Sequence, residues 1–122
     1  MLVQNLPAQF KNDSRVSIVQ SFGDGATVVR VPRYQEFTVL LREFALARVG
    51  TLDFAGNSSI AISVVVPEGE DYDVREGRVF LKMNTAQNRG ERLLVEVPAH
   101  DVPGFIRAVV SRGYTLEHIY DY

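Results

Sequence analysis

The segment Asp101-Val102-Pro103-Gly104-Phe105 has the clearest potential for ligand binding in this chain. It precedes an apolar helical pattern, and a helix N-terminus attracts a carboxylate or phosphate. Glycine at position 104 lets the backbone approach a bound molecule closely. Local rules already explain Asp101, Pro103 and Gly104 as an ordinary helix start, with Asp101 as the cap and Pro103 in the first turn, and this is the simpler interpretation. The candidate ligand-binding residues are Asp101, Pro103, Gly104 and Phe105.

The two histidines, His100 and His118, suggest a weaker candidate for a metal site. Asp101, Glu117 and Asp121 lie near them in the sequence, and imidazole and carboxylate groups are suitable zinc ligands. The histidines stand on separate elements, without a close spacing such as His-x-x-x-His. We therefore expect one surface histidine and one strand histidine, and we predict no metal ligand.

Two groups of charged residues also have chemical potential. Calcium needs several converging oxygens, but the acidic residues between Pro67 and Gly77 lack the twelve-residue EF-hand pattern, so we expect a solvated loop. Four arginines of the first half could bind an anion through paired guanidinium donors, but we expect ordinary surface charge at these positions. These groups are Glu68, Glu70, Asp71, Asp73 and Glu76, and Arg30, Arg33, Arg42 and Arg48.

The sequence assigns no catalytic residue and no cofactor. The chain has no cysteine, and no serine stands in a Gly-x-Ser-x-Gly context. An acid-base pair of carboxylates remains an open alternative, because such pairs meet only in three dimensions. We predict that the protein is not an enzyme.

Composition indicates one ordinary globular domain. The chain has 122 residues, of which 46% are hydrophobic and 23% charged, and its formal net charge is −2. The acidic balance argues against nucleic-acid binding, which needs clustered Lys and Arg. No apolar run approaches the twenty or so residues of a membrane span, and the first residues do not resemble a secretion signal. Together with the absence of cysteine, this predicts a cytoplasmic protein without a membrane partner.

Local patterns predict three hairpins, each formed by two strand-like runs around a turn. The first hairpin spans residues 15–31 around Gly23-Asp24-Gly25, which lacks the Lys-Ser/Thr ending of a phosphate loop. The second spans residues 52–66 around Gly56-Asn57-Ser58. The third spans residues 79–97 around Asn88-Arg89-Gly90.

Two segments change to helical spacing. The first runs from Tyr34 to Val49 and ends at Gly50, and the second follows Asp101 and ends at Gly113. Residues 115–122 then predict a strand, and residues 1–14 a short arm or an extra N-terminal strand. The expected fold is α+β, a ferredoxin-like β-α-β-β-α-β sandwich with a mainly antiparallel sheet and two helices on one face.

The two halves of the chain have similar sequence patterns. The runs Val28-Val29-Arg30-Val31-Pro32 and Leu94-Val95-Glu96-Val97-Pro98 both end a strand. Each is followed by a helical pattern, a glycine and the pair Thr-Leu, at residues 51–52 and 115–116. The pattern indicates a repeat of residues 15–66 and 78–122 within one domain, with convergence on a common plan as the alternative.

The last third resembles the first β-α-β unit of ACT regulatory domains. The resemblance rests on Val95-Glu96-Val97, the turn at residues 101–105, the helix, and the run from Arg112 to Tyr120. It implies a ferredoxin-like fold, pairing between domains, and a small effector, often an amino acid, bound near the turn. The chain departs from the family at Ala99 and His100, which lengthen the loop, and at Tyr114-Thr115-Leu116, where the family favours Ile-Asn-Ile.

Two functional hypotheses follow. The first is a non-enzymatic, ACT-like module that binds a small effector at the turn formed by residues 101–105. The second is a homo-oligomeric interaction module without a ligand, in which sheet edges or the tyrosine-rich C-terminus form the contact, because tyrosine is common at interfaces. These tyrosines are Tyr114, Tyr120 and Tyr122.

Overall fold

A computed structural model describes residues 1–85 and 90–120. The first four strands are β1 (Leu2–Gln4), β2 (Ser17–Ser21), β3 (Ala26–Arg30) and β4 (Gly50–Asp53). They form an antiparallel sheet in the order β2-β3-β1-β4. The short helix α1 (Ala8–Lys11) joins β1 to β2, and the longer helix α2 (Gln35–Leu46) joins β3 to β4. We call residues 1–53 the first unit.

The second sheet is also antiparallel and has the order β6-β7-β5-β8. Its strands are β5 (Ser59–Val66), β6 (Arg78–Asn84), β7 (Glu91–Pro98) and β8 (Thr115–Tyr120). A 3-10 turn (Ala99–Asp101) and helix α3 (Val102–Ser111) join β7 to β8. We call residues 59–120 the second unit.

The two units share one strand order. If the four strands of each unit are counted along the chain, both sheets have the order second-third-first-fourth. Each unit also has a helix between its third and fourth strands. This arrangement confirms the predicted α+β class with antiparallel pairing, and it is consistent with a ferredoxin-like fold. The sheet boundaries differ from the predicted repeat of residues 15–66 and 78–122, and the duplication itself stays a prediction.

The units interlock through their helices. Helices α2 and α3 pack against each other, and both contact β8. The guanidinium of Arg107 on α3 donates a hydrogen bond of 3.0 Å to the carbonyl oxygen of Ala45 on α2. Among the described residues, the buried apolar side chains of both units form one continuous core, with Phe44, Phe105 and Leu40 among its largest fully buried members. Burial of this apolar area is the main force that holds the units together.

Two sequence predictions differ from the structure. The second hairpin is wrong, because β4 pairs with β1 and β5 pairs with β7 and β8, so the turn before β5 leads from one sheet into the other. The N-terminal strand is not a peripheral addition, since β1 lies between β3 and β4. Positive φ angles at Ala55 (52°) and Gly56 (87°) accompany this change of direction.

The other local predictions agree well with the structure. The first and third hairpins are confirmed as β2-β3 and β6-β7, and both helical segments are present. The turn residues Asn88 and Arg89 lie outside the described residues, as do Asp121 and Tyr122. No helix in the described ranges has the length and apolar character that crossing a membrane requires.

Candidate functional site

A cleft of about 670 Å³ opens between the two units. The first unit contributes the end of β3, the segment that follows it and the first turn of α2. The 54–57 connection, the start of β5 and the end of β8 form the opposite wall. The lining side chains are mostly apolar or aromatic, and they include Val19, Val31, Phe37, Phe54, Ile60 and Tyr120.

The aromatic part of the cleft is fixed by packing. Phe37 lies in the first turn of α2, and Phe54 follows β4; both side chains are buried at 6% exposure or less. Their rings meet edge to face with centroids 6.3 Å apart, an arrangement favoured by the ring quadrupoles. Tyr120 comes from the far end of the chain and lies edge to face with His118 at 4.5 Å. Rigid aromatic walls of this kind suit a flat apolar ligand.

The cleft carries positive charge. Arg30 ends β3 and Arg33 precedes α2, and both exposed side chains line the cleft. The described lining residues include no Asp or Glu. Neither guanidinium makes a hydrogen bond or an ion pair with a described residue. Unlike these two, the Arg92 guanidinium donates two hydrogen bonds of 2.7 Å to Glu117 and holds the pKa of that carboxyl below its usual range.

The predicted turn at residues 101–105 lies elsewhere and begins α3 as the pattern indicates. Pro103 and Phe105 are buried, whereas Asp101 and Gly104 are half-buried. The Asp101 side chain caps no helical N–H group, and the nearest atoms to a Cβ at Gly104 would be Glu76 Oε1 and Arg107 Nη2, at 3.8 and 3.9 Å. None of the four residues lines the cleft. Ligand binding at this turn stays a prediction.

The histidines and acidic residues do not converge. His100 is exposed and its Nε2 lies 3.5 Å from Asp101 Oδ1, whereas His118 packs on Tyr120 in β8. Within residues 1–85 and 90–120, no group of three or more His, Asp or Glu side chains is arranged to hold a metal ion. The predicted solvated loop before β6 is mostly exposed, and its acidic residues border a second hollow of about 470 Å³.

Tyr114 has a structural role inside the second unit. Its side chain is only 8% exposed, its hydroxyl donates a hydrogen bond of 2.9 Å to Asp71 O, and it accepts one of 3.3 Å from Asp73 N. These bonds attach the 67–77 connection to the core. Tyr114 therefore does not contribute to an exposed contact surface, which corrects part of the predicted interface. Tyr120 lines the cleft, and Tyr122 lies outside the described residues.

The cleft could not be read directly from the sequence. For Arg30 and Arg33 the sequence favours ordinary surface charge over anion binding, and the aromatic residues that accompany them come from positions 37, 54 and 120. Only the interlocking of the two units brings these segments together. The one available signal was the pair of arginines flanking Pro32 between a strand and a helix, a position typical of binding residues on loops.

The fold and cleft define a small α+β protein with a ligand-sized opening between two units. No protein-family model, no curated protein and no solved structure matches the chain.

Proposed function

We propose that the protein is a non-enzymatic module that binds a small molecule in the cleft between its two units. The observation that carries this proposal is a cleft of about 670 Å³ whose lining residues are mostly apolar. Small-molecule sites typically have volumes of roughly 300–1,000 Å³ and are predominantly apolar, with a few polar groups that orient the ligand. The resemblance to ACT domains implies a regulatory module, but with its effector near the turn at residues 101–105, which is the competing site.

The cleft is a better candidate site than the turn at residues 101–105. Pro103 and Phe105 are buried, and so are Phe37 and Phe54 of the cleft. The cleft differs from the turn because no residue of the turn lines the open volume of about 670 Å³. The cleft offers Phe37, Phe54 and Tyr120 together. Because apolar contact supplies most of the affinity of small ligands, the cleft is favoured.

A thermal-shift screen with two variants tests this proposal. The purified protein is screened against amino acids, aromatic acids and nucleotides at millimolar concentration. A ligand at one hundred times its Kd stabilises the native state by about 2.7 kcal/mol. The Ala61→Trp variant fills the cleft from β5, and Gly104→Asp adds bulk and charge at the turn. We expect Ala61→Trp to abolish the shift and Gly104→Asp to leave it unchanged.

The opposite pattern of thermal shifts would place the ligand at the turn formed by residues 101–105. A shift that survives Ala61→Trp and disappears in Gly104→Asp assigns the ligand to the turn. A flat screen with the wild-type protein would contradict ligand binding altogether. The melting temperature of each variant without ligand shows that the variant is folded.

A second candidate function is homo-oligomerisation, and the exposed edge strand β2 favours it. All five residues of β2 are exposed, Ile18 to 42% and Val19 to 55%, and none of the five is charged. Natural edge strands are usually protected by charges, especially Lys. β2 has an irregular register between Ile18 and Gln20 but no charged residue. Such an edge can pair in antiparallel fashion with the same strand of a second copy, since a two-fold interface uses one surface twice.

Light scattering tests the second candidate. We expect a dimer mass for the wild-type protein and a monomer mass for Ile18→Lys, because paired copies would bring two lysines together. Val39→Lys is the matched control, since Val39 is equally exposed at 44% but lies on α2. A wild-type protein that stays monomeric at about 100 μM would contradict this function.

A further inference from the structure

The cleft contains two cationic groups that the described protein leaves unused. Arg30 and Arg33 both line it, and neither has a hydrogen-bond or ion-pair partner among the described residues. Arg78 pairs with Glu96 at 3.0 Å and Arg92 pairs with Glu117. Arg42, Arg48 and Arg75 likewise have no partner among the described residues, but they lie outside the cleft. The cleft therefore combines an apolar interior with positive charge that no described carboxylate neutralises.

The backbone holds the two arginines in a fixed relationship. They stand three residues apart around Pro32, whose ring restricts φ to about −65°. β3 ends at Arg30 and α2 begins at Gln35, so only a short segment connects the strand to the helix. Tyr34 adopts a left-handed φ of 64° at the junction. Both guanidinium groups are thus presented at one border of the cleft instead of on a long flexible loop.

We infer that the ligand of the cleft is an aromatic carboxylate, an inference that rests on the function proposed above. A guanidinium binds a carboxylate through two parallel N–H···O bonds, which fix the orientation of the ligand as well as its charge. The aromatic body of the ligand packs on the apolar lining of the cleft, where Val19, Val31 and Tyr120 keep accessible surface. Phe37 and Phe54 lie almost fully buried behind this surface.

The charges that line the cleft also distinguish a simple aromatic acid from a free amino acid. A free amino acid carries an ammonium group beside its carboxylate, and burial of that cation requires an anionic or strongly accepting partner. The described cleft residues include no Asp or Glu, and their side-chain acceptors are the neutral groups of Asn57, Ser59 and Tyr120. The nearby Asp53 carboxylate acts on the N-terminal ammonium of Met1, a residue that also lines the cleft. A simple aromatic acid leaves no cation unpaired. The cleft therefore selects an aromatic acid over the amino acid with the same ring.

Three probes that share one ring system test the inference by calorimetry. They are 2-naphthylacetate, its neutral amide 2-naphthylacetamide, and the zwitterion 3-(2-naphthyl)alanine. We expect the wild-type protein to bind the acetate at least tenfold more tightly than either of the other two. In the Arg30→Gln/Arg33→Gln double variant, the ratio of the acetate and amide affinities should fall to about one. Arg42→Gln is the matched control, because Arg42 is an exposed arginine of α2 outside the cleft.

The possible failures separate the inference from the proposed function. If the amide binds as tightly as the acetate, or if the double variant keeps the wild-type preference, the carboxylate inference is overturned while a ligand-binding cleft remains. Tightest binding of 3-(2-naphthyl)alanine would overturn the selection against amino acids. If no probe binds at millimolar concentration, both the inference and the proposed cleft function fail. Loss of the preference in Arg42→Gln would show that net charge alone is responsible and would likewise overturn the inference.

Discussion

The hydroxyl oxygen of Thr38 on α2 accepts a hydrogen bond of 2.9 Å from the backbone N–H of Ile119 on β8. The two residues stand 81 positions apart and belong to different units. β8 is the edge of its sheet, so the N–H groups on its outer side have no strand to pair with. Thr38 satisfies one of them inside the core, where an unpaired N–H group would be costly.

Replacing Thr38 with valine tests this link. Valine keeps the shape of the side chain but removes the acceptor, and both Thr38 and Ile119 are buried. An unsatisfied buried N–H group costs about 1–3 kcal/mol, so the free energy of unfolding in urea should fall by that amount. Thr115→Val, at an exposed position of the same strand β8, should change it by less than about 0.5 kcal/mol. Equal effects of the two substitutions would contradict the role of Thr38.

Two glycines of the 67–77 connection provide a second test. Gly69 and Gly77 have φ angles of 83° and 81°, which are unfavourable for alanine. A Cβ at Gly69 would meet open space, whereas one at Gly77 would lie 2.8 Å from Val95 Cγ1 and 2.9 Å from Glu96 O. We expect Gly69→Ala to cost about 1–2 kcal/mol from backbone strain and Gly77→Ala a further 1–3 kcal/mol or so from overpacking. Chemical denaturation measures the difference, and similar losses would refute close packing at Gly77.

The attachment of the same connection to the core depends on Tyr114. Tyr114→Phe removes the hydroxyl that contacts Asp71 and Asp73, and a hydrogen bond of this kind contributes about 1 kcal/mol. The exposed Arg75 lies in the connection, so trypsin should cleave there faster in the variant. Mass spectrometry of the fragments over time measures this rate.

Tyr72→Phe is the control for that experiment. The ring of Tyr72 lies 6.0 Å from that of Tyr114, but its hydroxyl makes no hydrogen bond with the described residues. Burial raises the pKa of Tyr72 to about 12, so the hydroxyl is uncharged at neutral pH. Removal of this hydroxyl should leave the cleavage rate unchanged. Faster cleavage in both variants would mean that the attachment does not depend on the Tyr114 hydrogen bonds.

Acid sensitivity should depend in part on Asp13. Hydrogen bonds from Arg15 lower the pKa of Asp13 to about 2, compared with about 3.9 in an unfolded chain. Because the folded-state pKa is the lower one, the stabilisation is present above about pH 4 and is lost as the pH falls towards 2. The unfolding free energy of Asp13→Asn should fall less steeply over this range than that of the wild-type protein. Parallel curves would contradict the assignment, and Arg15→Gln should reproduce the shallower slope.

Local chemistry explains which parts of the fold were predictable. The Gly-Asp-Gly turn joins two strands that pair with each other, so a hairpin could be inferred without knowledge of the rest of the chain. The turn before β5 has equally good turn residues, but β1 and β7 compete for the adjoining strands, and long-range pairing decides the outcome. α1 was missed because its four residues are too short to show a helical period. Its Phe10 side chain is nevertheless buried edge to face against Phe44, with centroids 4.7 Å apart.

The candidate site was less predictable than the fold. The turn at residues 101–105 is predictable because its residue types are neighbours in the sequence, and these residues do begin a helix. The cleft residues stand far apart in the sequence, and each has an ordinary explanation on its own: Arg30 as a surface charge, Phe54 as a core residue, Tyr120 as part of a strand. These residues meet in one cleft only because of the way the two sheets pack together, and no local sequence pattern predicts that packing.

The interlocking of the units has a consequence for synthesis and unfolding. The hydroxyl of Thr51 on β4 donates a hydrogen bond of 2.5 Å to the carbonyl oxygen of Ala99, 48 residues later. During translation the hydroxyl of Thr51 therefore lacks this hydrogen-bond partner until the second unit is made. Because the buried core is continuous across both units, we expect both units to unfold in a single calorimetric transition. Each unit supplies contacts that the other needs in its folded state.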